Sequence, residues 1–158
     1  MKLASDLNAV AKVPVNPVDN PFIPTVLYNA MIRPLVPYAV RGAIWYQGEN
    51  NAPRAYRYRD LLPQMIASWR NDWNRQFPFL IVQLANYMQR KDQPAESEWA
   101  ELREAQLLTS EAVAGSGLAV AVDVGLADDI HPTDKQTVGE RLSLVARRVA
   151  YGENIASS

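Results

Sequence analysis

Val40–Tyr46 reads VRGAIWY, and Gln47-Gly48-Glu49-Asn50-Asn51 follows it directly. A short apolar run with β-branched and aromatic members, closed by polar residues and a glycine, is a buried strand by length and composition. Two further runs have the same character: Pro78–Ala85 (PFLIVQLA) and Gly117–Asp123 (GLAVAVD). Between the first two, Tyr58, Leu62, Met65, Ile66, Trp69 and Trp73 recur at three- and four-residue steps. That is one face of an amphipathic helix over Tyr56–Trp73, with Pro63 expected to kink it or mark a late start. A second helix is expected over Glu96–Val113, with Trp99, Leu102, Gln106 and Leu107 leaning one way. A third spans Thr133–Tyr151, opened by a Thr133/Gln136 capping box and striped by Val138, Leu142, Val145 and Val149. Leu27–Ile32 reads as a helical turn or two stopped by Pro34.

Strands that are apolar throughout and alternate with helices predict an α/β fold, a three-layer α/β/α sandwich around a parallel sheet. Sheets of this kind ordinarily have about five strands. Three would leave an edge and much of one face bare, so a fold lacking its N-terminal strands is expected. Upstream, Pro14, Pro17, Pro21 and Pro24 deny the backbone both helix and central strand. The predicted organisation is an extended arm over 1–26, a partial α/β domain over 27–152 and a tail over 153–158.

Length fits one domain: the chain has 158 residues, 48% hydrophobic and 21% charged. Sixteen basic against seventeen acidic residues give a formal net charge of −1, so no field recruits nucleic acid or an anionic membrane. Met1–Val18 lacks the apolar run of a signal peptide, and no window reaches eighteen uninterrupted apolar residues. Cysteine is absent, which removes disulfides, thiolate nucleophiles and cysteine-rich zinc sites. His131 is the single histidine, so chemistry that needs an imidazole has one candidate, and neither a metal nor another cofactor is expected.

In open parallel sheets ligands bind beyond the carboxyl ends of the strands. Polar groups follow all three: Gln47 to Asn51, then Asn86-Tyr87, then Asp123 and Asp128-Asp129-Ile130-His131. A carboxylate three residues before an imidazole can accept its Nδ1–H and turn Nε2 toward the cleft as a general base. The same spacing also fits turn residues leading into a helix. Gly48 permits close approach of backbone to ligand, and the Gln47 amide could donate to an oxyanion, though a plain strand-to-helix turn reads the same way. Trp45, Tyr46, Trp69, Trp73 and Trp99 read as packing residues, and Arg103 and Gln106 as surface positions of their helix.

LYNAMIRPLVPYAV, GAIWYQGENN, PFLIVQLANY, WAELREAQ and DDIHPTDKQTVGERL occur in that order, and from about Pro24 to Ala150 the chain resembles the sialate O-acetylesterase branch of the SGNH (GDSL-like) hydrolases. Related acetylxylan esterases share part of the pattern. The resemblance implies removal of O-acetyl groups from sugars through an acyl-enzyme, with an O-acetylated carbohydrate as substrate. It makes Asp128 and His131 the acid and base of a Ser-His-Asp triad. Gln47, Gly48, Glu49 and Asn50 fall at the oxyanion and substrate site, and Arg103 and Gln106 support it from behind. The family commonly has Ser-Asn where this chain has Asn50-Asn51. Members are often periplasmic or secreted.

The family's nucleophile stands in an early Gly-x-Ser block, and none is found here. Ser5 lies in the irregular start, Ser68, Ser97, Ser110 and Ser143 in predicted helices, Ser116 in a turn ahead of a strand, and Ser157 and Ser158 at the end. The chain by itself is therefore expected to be inactive. The serine would come from a missing N-terminal half or a partner chain, a homo-oligomer included. The alternative is a non-catalytic fragment that binds acetylated sugar or serves assembly.

Overall fold

The computed structural model describes residues 23–157, so most of the expected proline-rich arm lies outside the described residues. Those described divide into two compact units that part after Ala39. In the first, a π-helical turn at Tyr28–Ile32 runs straight into a 3-10 turn at Arg33–Leu35. Pro34 was expected to stop the helix but sits inside that second turn. At the start of a turn its missing N–H leaves no bond unmade.

The second unit holds a three-stranded parallel sheet in the order β1 (Ala43–Trp45), β2 (Phe79–Val82) and β3 (Ser116–Ala119). Ala43 pairs with Phe79, and Phe79 with Ser116. Each ladder is shorter than its apolar run, because the runs carry on as irregular chain that packs beyond the strand ends. Ser116, expected in a turn, opens β3 and stays at its N-terminal end. Its hydroxyl is buried without a hydrogen-bond partner among the described residues.

Three helices follow in chain order: α1 (Ala55–Asp72), α2 (Glu98–Ala112) and α3 (Lys135–Tyr151). A 3-10 segment, Glu49–Arg54, leads into α1, which then runs without interruption past Pro63. Burial of Tyr58, Leu62 and Ile66 on either side of that proline offsets the backbone bond it forgoes. On α2 the buried stripe is Trp99, Leu102, Ala105, Gln106 and Thr109, and Leu107 turns outward. The capping box expected at Thr133 and Gln136 does not form. Asp134 caps α3 instead, accepting from Thr137 N at 3.0 Å, while the Gln136 amide donates to Glu140. A carboxylate one residue later satisfies the same orphan N–H and also meets the positive end of the helix.

Side chains alternate across the pleat, so the sheet has two distinct faces. Phe79 and Ile81 join Ala43, Trp45 and Leu118 in the core shared with α1 and α2. Leu80, Val82 and Ala119 pack under Val138 and Val145 of α3. Contact there is close: a Cβ on Gly117 would stand 2.5 Å from Val145 and 2.9 Å from Val149. This is the expected α/β/α arrangement, but coverage is lopsided. On the α3 side Ile44 of β1 is 65% exposed, and the outer edge of β1 has no strand beside it among the described residues.

Candidate active site

Beyond Trp45 the chain turns through Gln47 and Gly48 into the 3-10 segment. Gly48 has φ +153°, and a Cβ there would meet Leu102 at 2.7 Å, so the turn presses its backbone onto α2. The Gln47 side chain is held from both ends. The Tyr58 hydroxyl accepts the Trp45 indole N–H at 3.0 Å and donates to Gln47 Oε1 at 2.9 Å. Gln47 Nε2 donates to Asn51 Oδ1 at 3.0 Å. One of the two amide hydrogens is thereby committed, and the other remains for a ligand. The Gly48 N–H donates to Glu49 Oε2 at 2.9 Å, so Glu49 occupies that donor from within the loop. Asn50 stands exposed on the turn, and Asn51 rather than Asn50 touches Gln47.

Tyr58 was read from sequence only as a helix-packing residue. Burial, with the Glu49 charge adding to it and the Trp45 hydrogen bond opposing, pushes its hydroxyl up to about 12. Stability carried by the neutral phenol is complete below pH 10, the ordinary tyrosine value, and is lost as pH rises through about 12. Denaturant unfolding between pH 9 and 12 should show that decline, and Tyr58→Phe should flatten it by on the order of 2–3 kcal/mol at the alkaline end.

Gln106, assigned to the surface on position alone, is fully buried. Its Oε1 accepts Leu84 N at 2.9 Å and its Nε2 donates to Gln47 O at 3.1 Å, tying the exit of β2 to the exit of β1. Arg103, half-buried one turn earlier, has its guanidinium pKa lowered by desolvation, and its carbonyl accepts from the Gln83 amide.

The loop after β3 carries His131, and three anchors set its course. Asp123 forms a two-pronged pair with Arg141, which also donates to Val120 O at 2.9 Å. Those bonds hold the Asp123 carboxyl down at about 2, so this polar group at the strand exit serves as a strap. Asn86 Oδ1 accepts Gly125 N at 2.7 Å, and Met88 N donates to Ala127 O at 3.0 Å. A Cβ on Gly125 would lie 2.0 Å from Asn86 O, so only glycine fits there. At the loop's end Asp134 caps α3, and Lys135 sits 5.2 Å over the Tyr46 ring, beside Gln47. The imidazole loop and Gln47 therefore belong to the same end of the sheet.

Within the loop, Asp129 Oδ1 accepts the His131 backbone N–H at 2.8 Å and lies 3.4 Å from Nδ1. The expected Asp128–Nδ1 bond is not made. Asp128 is exposed without a hydrogen bond among the described residues, and the His131 side chain is 86% exposed. Asp129, the nearer carboxylate, is committed to the turn, the role that fits a side chain two residues before the N–H it caps. Among the described residues no three His, Asp or Glu side chains gather as a metal-ligand set, and no helix is long and apolar enough to cross a membrane.

A protein-family model described as carbohydrate esterase, sialic acid-specific acetylesterase, matches residues 18–146. The sialate O-acetylesterase of Rattus norvegicus is 39% identical, over 89% of this chain and 29% of its own length. The Homo sapiens sialate O-acetylesterase is 35% identical, over 89% of this chain and 30% of its own. The crystal structure of a carbohydrate acetylesterase from Xanthomonas citri superposes with a TM-score of 0.78 at 50% identity, over 84% of this chain and 31% of that one. The chain thus spans about 30% of the length of the relatives it matches.

Proposed function

Because the chain belongs to the sialic acid-specific acetylesterase family of carbohydrate esterases, we propose that it carries the base and part of the oxyanion site of an enzyme that hydrolyses acetyl esters of sugars. His131 takes the proton of a serine hydroxyl as that oxygen attacks the acetyl carbon, and then gives it to the departing sugar oxygen, leaving an acetyl-serine that water hydrolyses. Asp128 swings onto Nδ1 once the cleft is complete and holds the ring in the tautomer that leaves Nε2 basic. The uncommitted N–H of Gln47 donates to the oxyanion. Gly48, Glu49 and Asn50 shape the floor beside it, and Gln106 and Arg103 brace that floor from α2.

The serine is supplied from outside this chain, by the rest of a longer polypeptide or by a partner. Among the described residues, Ser68, Ser97, Ser110 and Ser143 belong to helices or their caps, Ser116 opens β3 at the end of the sheet opposite Gln47, and Ser157 lines the same hollow as Ser116 and accepts from Arg148. The bare edge of β1 is where further strands would add. One observation carries the reading: the loop bearing the single imidazole is strapped to the end of the sheet from which Gln47 emerges.

A graft tests it. This chain replaces the matching part of the Xanthomonas citri enzyme, and release of p-nitrophenol from its acetate is followed. Turnover that requires His131 is the expected result. A folded graft that releases nothing, or one whose activity is indifferent to His131, rules the reading out.

A further inference from the structure

A cavity of about 390 Å³ opens at the exit end of the sheet, between the segment after β2 and the start of α2. Tyr87, Met88, Gln89, Lys91, Glu96 and Glu98 are among its lining residues. Its volume falls within the range of small-ligand sites. A roomier hollow of about 450 Å³ lies near Ser116, at the opposite end of the sheet, where the chemistry described above has no part.

Three features mark the first cavity as a binding site. The Tyr87 ring is backed by Trp99 at 5.2 Å, and the Trp99 indole N–H is itself fixed by Ala85 O at 2.7 Å, so the phenol is a stiff, half-exposed platform. Met88 holds φ +71°, a left-handed conformation that costs a non-glycine residue energy, and its side chain is exposed. The same residue's N–H is bonded to Ala127 O, which joins the cavity wall to the loop carrying His131.

The charges narrow the ligand. Lys91 is the one cation of the lining against two carboxylates, Glu96 and Glu98. The start of α2 offers no vacancy for an anion, since Ser97 caps Ala100 N and Glu98 and Glu101 already occupy the first turn. An aromatic face, an amide, a hydroxyl and charges of both signs suit a ring that is apolar on one side and studded with hydroxyls, and the surplus carboxylate opposes a ligand that brings its own.

We propose that this cavity is a subsite for an uncharged sugar ring of the glycan, adjoining the ester-cleaving centre. The proposal depends on the carbohydrate-esterase reading for its ligand class, but it concerns binding alone and needs no nucleophile. The ring lies against Tyr87, Gln89 and Lys91 contact its hydroxyls, and Glu96 accepts from them.

The intact chain, labelled with 15N, is titrated with xylobiose and separately with N-acetylneuraminic acid. Xylobiose should shift the amides of Tyr87 to Gln89 and of Ser97 and Glu98 with a Kd of about 1–10 mM, and the acidic sugar should bind several-fold more weakly. Tyr87→Ala should abolish the xylobiose response. Because that change also removes packing on Trp99, the exposed pair Glu96→Gln/Glu98→Gln provides the second arm. It should strengthen binding of N-acetylneuraminic acid several-fold toward that of the neutral sugar. A lining unmoved by xylobiose overturns the proposal, as does tighter binding of the acidic sugar to the unaltered chain, or shifts confined to Gln47–Asn51. Turnover in the graft is a separate readout, so either idea can fail while the other stands.

Discussion

In the graft, His131→Ala should lower kcat by about a millionfold while KM moves little, since under the proposed mechanism loss of the base alone removes most of what a serine triad contributes. Asp128→Asn should cost about ten-thousandfold, the usual effect of losing the group that holds the tautomer. Asp129→Asn should cost far less, even though Asp129 is the carboxylate 3.4 Å from Nδ1 here. An asparagine Oδ1 still accepts the His131 N–H, so the turn survives the change. Steady-state kinetics of the three variants in the graft decide the assignment. A ten-thousandfold loss at Asp129 together with an active Asp128→Asn enzyme would transfer the orienting role to the nearer residue.

Gln106→Leu should lower folding stability by about 3 kcal/mol. The side chain keeps roughly its volume, but Leu84 N is left buried without its partner, at about 1–3 kcal/mol, and the part-buried Gln47 O keeps only the Tyr58 hydroxyl at 3.3 Å, a loss of about 0.5–1.5 kcal/mol. For a chain of this size the melting temperature should fall by about 6–12 °C. The second consequence separates this residue from an ordinary core position. The Gln47 carbonyl loses the closer of its two donors and keeps only the Tyr58 hydroxyl, so in the graft kcat should fall beyond what temperature-matched stability explains. A melting temperature within about two degrees of the parent would show that water replaces the amide and that the bridge between strand exits carries little.

The sheet was legible because its three strands are unbroken apolar runs, and a run buried on both faces points to helices on both sides. Boundaries were less so. Asp134 displaced Thr133 as the cap since either residue can serve, and only the path of the preceding loop decides between them. At the site, Gln47 and the His131 loop stood out through their place after strands. Gln106 was half visible, falling in register with Trp99 and Leu102, yet its polarity argued for the surface until the turn it serves was in place. Asn86 and Gly125 lie thirty-nine positions apart and look like loop residues. Their pairing exists only because β2 and β3 are neighbours, which no local pattern encodes. Arg141 was hidden likewise, since its partner Asp123 belongs to a different element.

The fit of Asn86 over Gly125 means that the histidine loop takes its position from the neighbouring strand as much as from its own. Anyone transplanting residues 124–134 into a related scaffold would move the imidazole without its hinge pin. The pieces that travel together are the loop and residues 86–88, and a donor scaffold with any side chain at the glycine's position would have to rebuild both segments at once.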